Sequence, residues 1–132
     1  MDLFWTKHSR EKMQFYGLSE QRIKRVLRNP DRIEEGIAPK TIALMQIAGS
    51  KKNPYEIWVM YQKKEKSFYH KLTTKDIKSK QNNFIKKPVL KIISCWKYPG
   101  RSPIGVKLPV PDELKQEIEN VLNKIKKNEK NY

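Results

Sequence analysis

Apolar and polar positions alternate along the chain in a way that separates helical from extended segments. Near the start, Phe4-Trp5-Thr6 has the composition of a short opening strand. Ser9 then suits an N-cap for a helix ending near Tyr16, where Gly17 can take the left-handed conformation that closes helices. Ser19 suits the cap of a second helix running to about Arg28. Its apolar stripe is Ile23, Val26 and Leu27, with Leu18 just before the cap, and Asn29-Pro30 ends it. These two helices read as a small hairpin, the second carrying Arg22, Lys24, Arg25 and Arg28 on its other faces.

Extended segments follow. Arg32-Ile33-Glu34-Glu35 is a short strand before Gly36, and Thr41 to Ile47 is a largely apolar one closed by Gly49-Ser50 and Asn53-Pro54. Tyr55 to Tyr61 is apolar on both faces: Tyr55, Ile57, Val59 and Tyr61 lie on one, Trp58 and Met60 on the other. That pattern belongs to a central strand. A second β-rich run spans Pro88 to Trp96. Between these two runs the chain is polar and lysine-rich, which fits a hairpin excursion or a mobile loop. After the Pro/Gly-rich residues 99–105 and Pro109-Val110-Pro111, Asp112 caps a last amphipathic helix. Its stripe is Leu114, Ile118, Val121, Leu122 and Ile125, and a frayed tail is expected from Lys126 to Tyr132. That stripe can dock on the sheet or receive a partner protein. The expected fold is α+β: an N-terminal helical hairpin on a small antiparallel β-sheet, with a C-terminal amphipathic helix.

Composition narrows the function classes. With 132 residues the chain is one domain in size, and 13 aromatic side chains are enough to seed a core. No run approaches the length of a membrane span, and Met1 to Trp5 lacks the apolar stretch of a secretory signal. A single cysteine, Cys95, forms no internal disulfide and reads as a packed thiol, so a cytoplasmic location is expected. Two histidines and one cysteine without metal-ligand spacing leave no candidate metal site. The five scattered glycines form no nucleotide-binding loop, and no cofactor is expected.

The formal charge of +15 calls for a polyanionic partner, nucleic acid or acidic protein. It is uneven: +4 over residues 1–62, +11 over 63–107 and zero over 108–132. Lysines make up 23 of the 29 bases, so the charged run also fits an ordinary solvated loop. Candidate nucleic-acid contacts are Arg22, Arg25, Lys63, Lys64, Lys86, Lys87, Lys97 and Arg101, with Phe68, Tyr69 or Phe84 available for stacking.

The N-terminal cluster Thr6-Lys7-His8-Ser9-Arg10-Glu11-Lys12 gathers an imidazole, a guanidinium and an ammonium at a helix start. RNA cleavage without metal needs an activated 2′-hydroxyl, a stabilised phosphorane and a protonated leaving oxygen. His8 can serve as acid or base, with Arg10, Lys12 and Arg101 on the phosphate; it can equally serve only to cap the helix.

Residues Thr6 to Met13, Tyr16 to Glu20 and Val26 to Arg32 are similar to a small, uncharacterised bacterial domain family. That family opens T-x-H-A-x-x-R-M-x-x-R-G-I-S and continues to a helix ending L-x-N-P-D. More distantly, the sequence resembles BrnT and RelE-type ribonuclease toxins of toxin–antitoxin modules. The resemblance covers residues 4–62 and, more loosely, 88–98. It implies a toxin-like domain over residues 1–110, with a lysine-rich insertion at 63–87 and a helix and tail at 111–132. It further implies RNA as substrate, a metal-independent endoribonuclease activity carried by His8, Arg10 and Lys12, and an acidic antitoxin partner. Lys12 and Tyr16 stand where the family more often has arginine, so the bidentate fork is lost at one position and the charge at the other.

Overall fold

A computed structural model describes residues 2–69, 84–105 and 107–130, the side chains of 64–69, 84–88 and 128–130 excepted. The order of elements is β1 (Asp2–Trp5), α1 (Lys7–Tyr16), α2 (Glu20–Arg28), β2 (Arg32–Glu35), β3 (Thr41–Gly49), β4 (Pro54–Tyr69), β5 (Phe84–Pro99) and α3 (Asp112–Lys130). The fold is α+β. Its sheet has five strands in the order β1-β5-β4-β3-β2, which makes β4 the central strand. The sheet is mixed rather than antiparallel, because β1 runs parallel to β5, pairing from Asp2↔Val89 to Trp5↔Ile92. Nothing in the local pattern of either segment encodes a pairing across so much chain.

The helices divide between the two faces of the sheet. Met13, Leu18, Ile23 and Val26 from the α1–α2 hairpin bury against Leu44, Ile57, Val59, Leu90, Ile92 and Cys95. On the other face, Leu114 and Ile118 of α3 cover Ala43, Met45, Trp58, Met60, Ile93 and Trp96. The stripe of the last helix therefore docks on its own sheet. Trp58 and Trp96, cross-strand partners in the register, stack there at 6.0 Å between ring centroids. Helix α3 continues through Lys130, further than the tail expected from Lys126.

Helix α1 starts earlier than its serine suggests. Thr6 is the N-cap: its hydroxyl accepts the Ser9 N–H at 3.1 Å and donates to the Ile92 carbonyl at 2.8 Å. Ser9 lies inside the helix, its hydroxyl turned back to the Thr6 carbonyl at 2.7 Å. Both residues can cap; Thr6 wins because its hydroxyl also ties the helix to β5. Thr6→Ala is expected to cost about 1–2 kcal/mol, read as a lowered midpoint in urea. At the far end Gly17, at φ +68°, closes the helix, and the Leu18 N–H returns to the Met13 carbonyl at 2.7 Å. Leu18 and Met13 are both buried, completing a Schellman closure.

β1 covers the edge of β5 only as far as Ile92, and α1 takes over from there. Beside it the β4–β5 register slips: Met60 faces Ser94 but Tyr61 faces Ile92, leaving Ile93 as the extra residue of a bulge. The bulge sets Ser94 on the face of Ile93 and Trp96, while Cys95 returns to the opposite face. At the other end of the sheet, β4 and β5 run on past β3 as a two-stranded arm, paired to Tyr69↔Phe84. The lysine-rich segment is thus a hairpin excursion over its described part; residues 70–83 lie outside the described residues.

Candidate functional site

On α1 the polar residues His8, Lys12 and Tyr16 recur every four positions, so they share one face of the helix. That face looks along the β5 edge toward α3. His8 is 9 % exposed, and its Nε2 lies 3.0 Å from the hydroxyl oxygen of Ser94, the residue displaced by the bulge. Its Nδ1 lies 3.9 Å from Glu117 Oε2 on α3. The Lys12 ammonium approaches the same oxygen at 2.7 Å.

Burial lowers the His8 pKa below the usual 6.5; the Glu117 carboxylate opposes that shift and Lys12 adds to it. The unfolded chain then takes up the proton first. The stability His8 contributes is complete above pH 6.5 and is lost as pH falls from 6.5 through the lowered native value. Urea unfolding at pH 7.5 and 5.5 is expected to show a smaller loss of stability for His8→Gln than for the parent. Burial also raises Tyr16, against Lys12, and takes the Cys95 thiol to about 12, which leaves it an inert core thiol.

Serine, histidine and glutamate here form a line that resembles a nucleophilic triad, but Ser94 is wholly buried and no substrate reaches it. Its hydroxyl fixes the imidazole instead.

The expected trio of His8, Arg10 and Lys12 is divided by helix geometry. Two residues along a helix turn through about 200°. Arg10 accordingly points away, paired with Glu20 Oε1 at 2.9 Å and lying over the Trp5 ring at 5.6 Å. Arg101 is seven residues past Ser94, beyond the end of β5 at Pro99. It lines a groove of about 460 Å³ with Gly49, Ser50, Lys51 and Pro54 at the β3–β4 turn. The structure brings Lys12 to His8 and leaves Arg10 and Arg101 elsewhere. Glu117 and Ser94 were not singled out in the sequence. The four-residue spacing of His8, Lys12 and Tyr16 was the available signal for a shared face.

A second cluster gathers residues expected to contact nucleic acid. Arg22 on α2 hydrogen-bonds Gln46 Oε1 on β3, and Gln46 in turn donates to the Asn29 carbonyl at 3.0 Å. Burial lowers the Arg22 pKa first of all, the like charge of Arg25 lowers it further, and Tyr55 acts in the opposite sense. Lys97 lies over the Tyr55 ring at 5.1 Å. Among the described residues, no carboxylate lies within ion-pairing distance of Arg22, Arg25, Lys97 or Arg101. By contrast Arg10, Lys12 and Arg32 are all neutralised by acids of the chain itself. Lys63 is exposed where the arm begins. Lys64, Lys86 and Lys87 belong to the paired strands of the arm, and their side chains lie outside the description.

Among the described residues no cluster of His, Cys, Asp or Glu can hold a metal ion, and no helix is long and apolar enough to cross a membrane. Comparison with family models, curated proteins and solved structures finds no match to this chain.

Proposed function

We propose that the protein binds RNA through the cationic surface of Arg22, Arg25, Lys97 and Arg101, with the lysine-rich arm that starts at Lys63, at the opposite end of β4, as a separate contact. The observation that carries the proposal is the Arg22–Arg25 pair: two neighbouring guanidiniums, one held in place by Gln46, with no carboxylate among the described residues to offset them. Like charges kept together cost folding energy, and a phosphate backbone offsets that cost. Tyr55, beneath Lys97, offers an aromatic ring within the same cluster. The more distant resemblance to ribonuclease toxins, through the uncharacterised family whose motif the opening residues match, favours RNA over DNA. The test is binding of a labelled 20-nucleotide RNA at rising potassium chloride. A steep loss of affinity with salt is expected; binding that ignores salt, or none at low salt, rejects the proposal.

Metal-independent cleavage at His8, as a toxin-like endoribonuclease, is the second reading. It is favoured by the bulge that aims Ser94 at the imidazole and by the ammonium of Lys12 beside it. A transcript-cleavage assay decides it: cutting abolished in His8→Ala supports it, and equal cutting by both proteins rejects it.

A further inference from the structure

We infer that the His8–Lys12–Tyr16 face of α1 is a binding site for an RNA phosphodiester group, which the chain fills with its own Glu117 carboxylate. This inference rests on the RNA-binding proposal above and assigns α3 the part of an internal plug.

A single oxygen, Glu117 Oε2, is the meeting point of the Lys12 ammonium at 2.7 Å and the His8 Nδ1 at 3.9 Å. An ammonium and an imidazole converging on one anionic oxygen are the elements of a phosphate site. The charge on α3 is placed to match. Glu113 and Glu117 are one helical repeat apart, and both carboxylates act on Tyr16 from across the gap. Leu114 and Ile118, fully buried on the sheet, hold these acids in that direction. Glu11 is the remaining carboxylate that bears on His8.

The plug is a single ion pair. Glu117 Oε2 is buried against the Lys12 ammonium at 2.7 Å, and among the described residues no second donor hydrogen-bonds it. The rest of that side chain is open to solvent, 43 % exposed overall. A phosphodiester carries the same single negative charge on two non-bridging oxygens as this carboxylate, so it can take the carboxylate's place beside Lys12 and His8 in kind. Exchange swings the solvent-facing Glu117 side chain aside while Leu114 and Ile118 keep α3 on the sheet. With Glu117 in place, His8 Nε2 lies against Ser94 and Nδ1 faces the carboxylate at 3.9 Å.

The test uses the full chain, with inorganic phosphate and a five-nucleotide oligouridylate as separate probes and the His8 imidazole signals in NMR as the readout. Glu117→Gln removes the plug's charge and is expected to tighten binding of both probes at His8 by about tenfold. Lys12→Gln placed in the same background is expected to cancel the gain. Equal binding by parent and Glu117→Gln, or a gain that survives loss of Lys12, overturns the inference. A gain for inorganic phosphate without one for the oligouridylate overturns its assignment to RNA. Thermal unfolding checks each variant. If Glu117→Gln does not fold, Glu117→Asp, which withdraws the carboxylate by one methylene, is read by the same criteria. Salt-dependent RNA binding at Arg22 and Arg25 is measured independently, so the plug can fail while the RNA-binding proposal stands.

Discussion

Glu56→Ala is expected to destabilise the protein by about 3–5 kcal/mol, measured as a fall in the urea midpoint without a large change in slope. Glu56 sits on the central strand β4, fully buried on the face covered by α3. Its carboxylate accepts the Trp58 indole N–H at 3.0 Å, the Ser102 backbone N–H at 3.0 Å and the Ser102 hydroxyl at 2.6 Å. Alanine leaves the buried indole N–H and the Ser102 donors without acceptors and opens space beside the Trp58–Trp96 stack. The loop from Gly100 to Pro111 depends on the same group. Arg32 completes the tie, donating to the Ser102 hydroxyl at 2.8 Å and lying over the Trp58 ring at 5.1 Å. Arg32 also has Glu34 as a partner, so Arg32→Ala is expected to cost less than Glu56→Ala.

Arg22→Glu combined with Arg25→Glu is expected to weaken RNA binding about 100-fold at moderate salt, because two phosphate contacts are lost and two repulsive charges added. The neutral pair Arg22→Gln and Arg25→Gln separates function from folding. These guanidiniums repel one another and have no carboxylate partner among the described residues, so neutralising them is expected to leave the urea midpoint unchanged or raised while RNA affinity falls. A structural role for the pair requires the opposite, a lowered midpoint with unchanged binding.

Much of the architecture was legible because it is local. Ser19 caps α2, accepting the Arg22 N–H at 3.1 Å, and Gly17 closes α1 in the left-handed conformation. The two apolar faces of Tyr55 to Tyr61 correctly marked β4 as central. What escaped depends on chain segments far apart. The parallel β1–β5 pairing joins the two halves of the sequence, and the extra residue Ile93 appears only once β5 lies against β4. Glu56 shares the alternation of Trp58 and Met60, but its acceptors are claimed by a serine in a distant loop, which no strand pattern reveals.

The candidate site was legible in part for the same reason. His8 and Lys12 meet because four residues make about one helical turn, whereas Arg10, their neighbour in sequence, turns to Glu20. The large +15 charge pointed to a polyanion but not to where one would sit. Among the described residues the structure sorts the bases into those already neutralised, such as Lys12 and Arg32, and those without an acid, such as Arg22 and Arg25.

RNA binding by this uncompensated cationic surface is tested most directly by the slope of log affinity against log salt for one single-stranded RNA, compared between the parent protein and Arg22→Gln/Arg25→Gln. Each phosphate contact on a single strand contributes about 0.7 to that slope, so the double variant is expected to have a shallower slope by about 1.4. An identical slope and affinity in the two proteins would contradict the account.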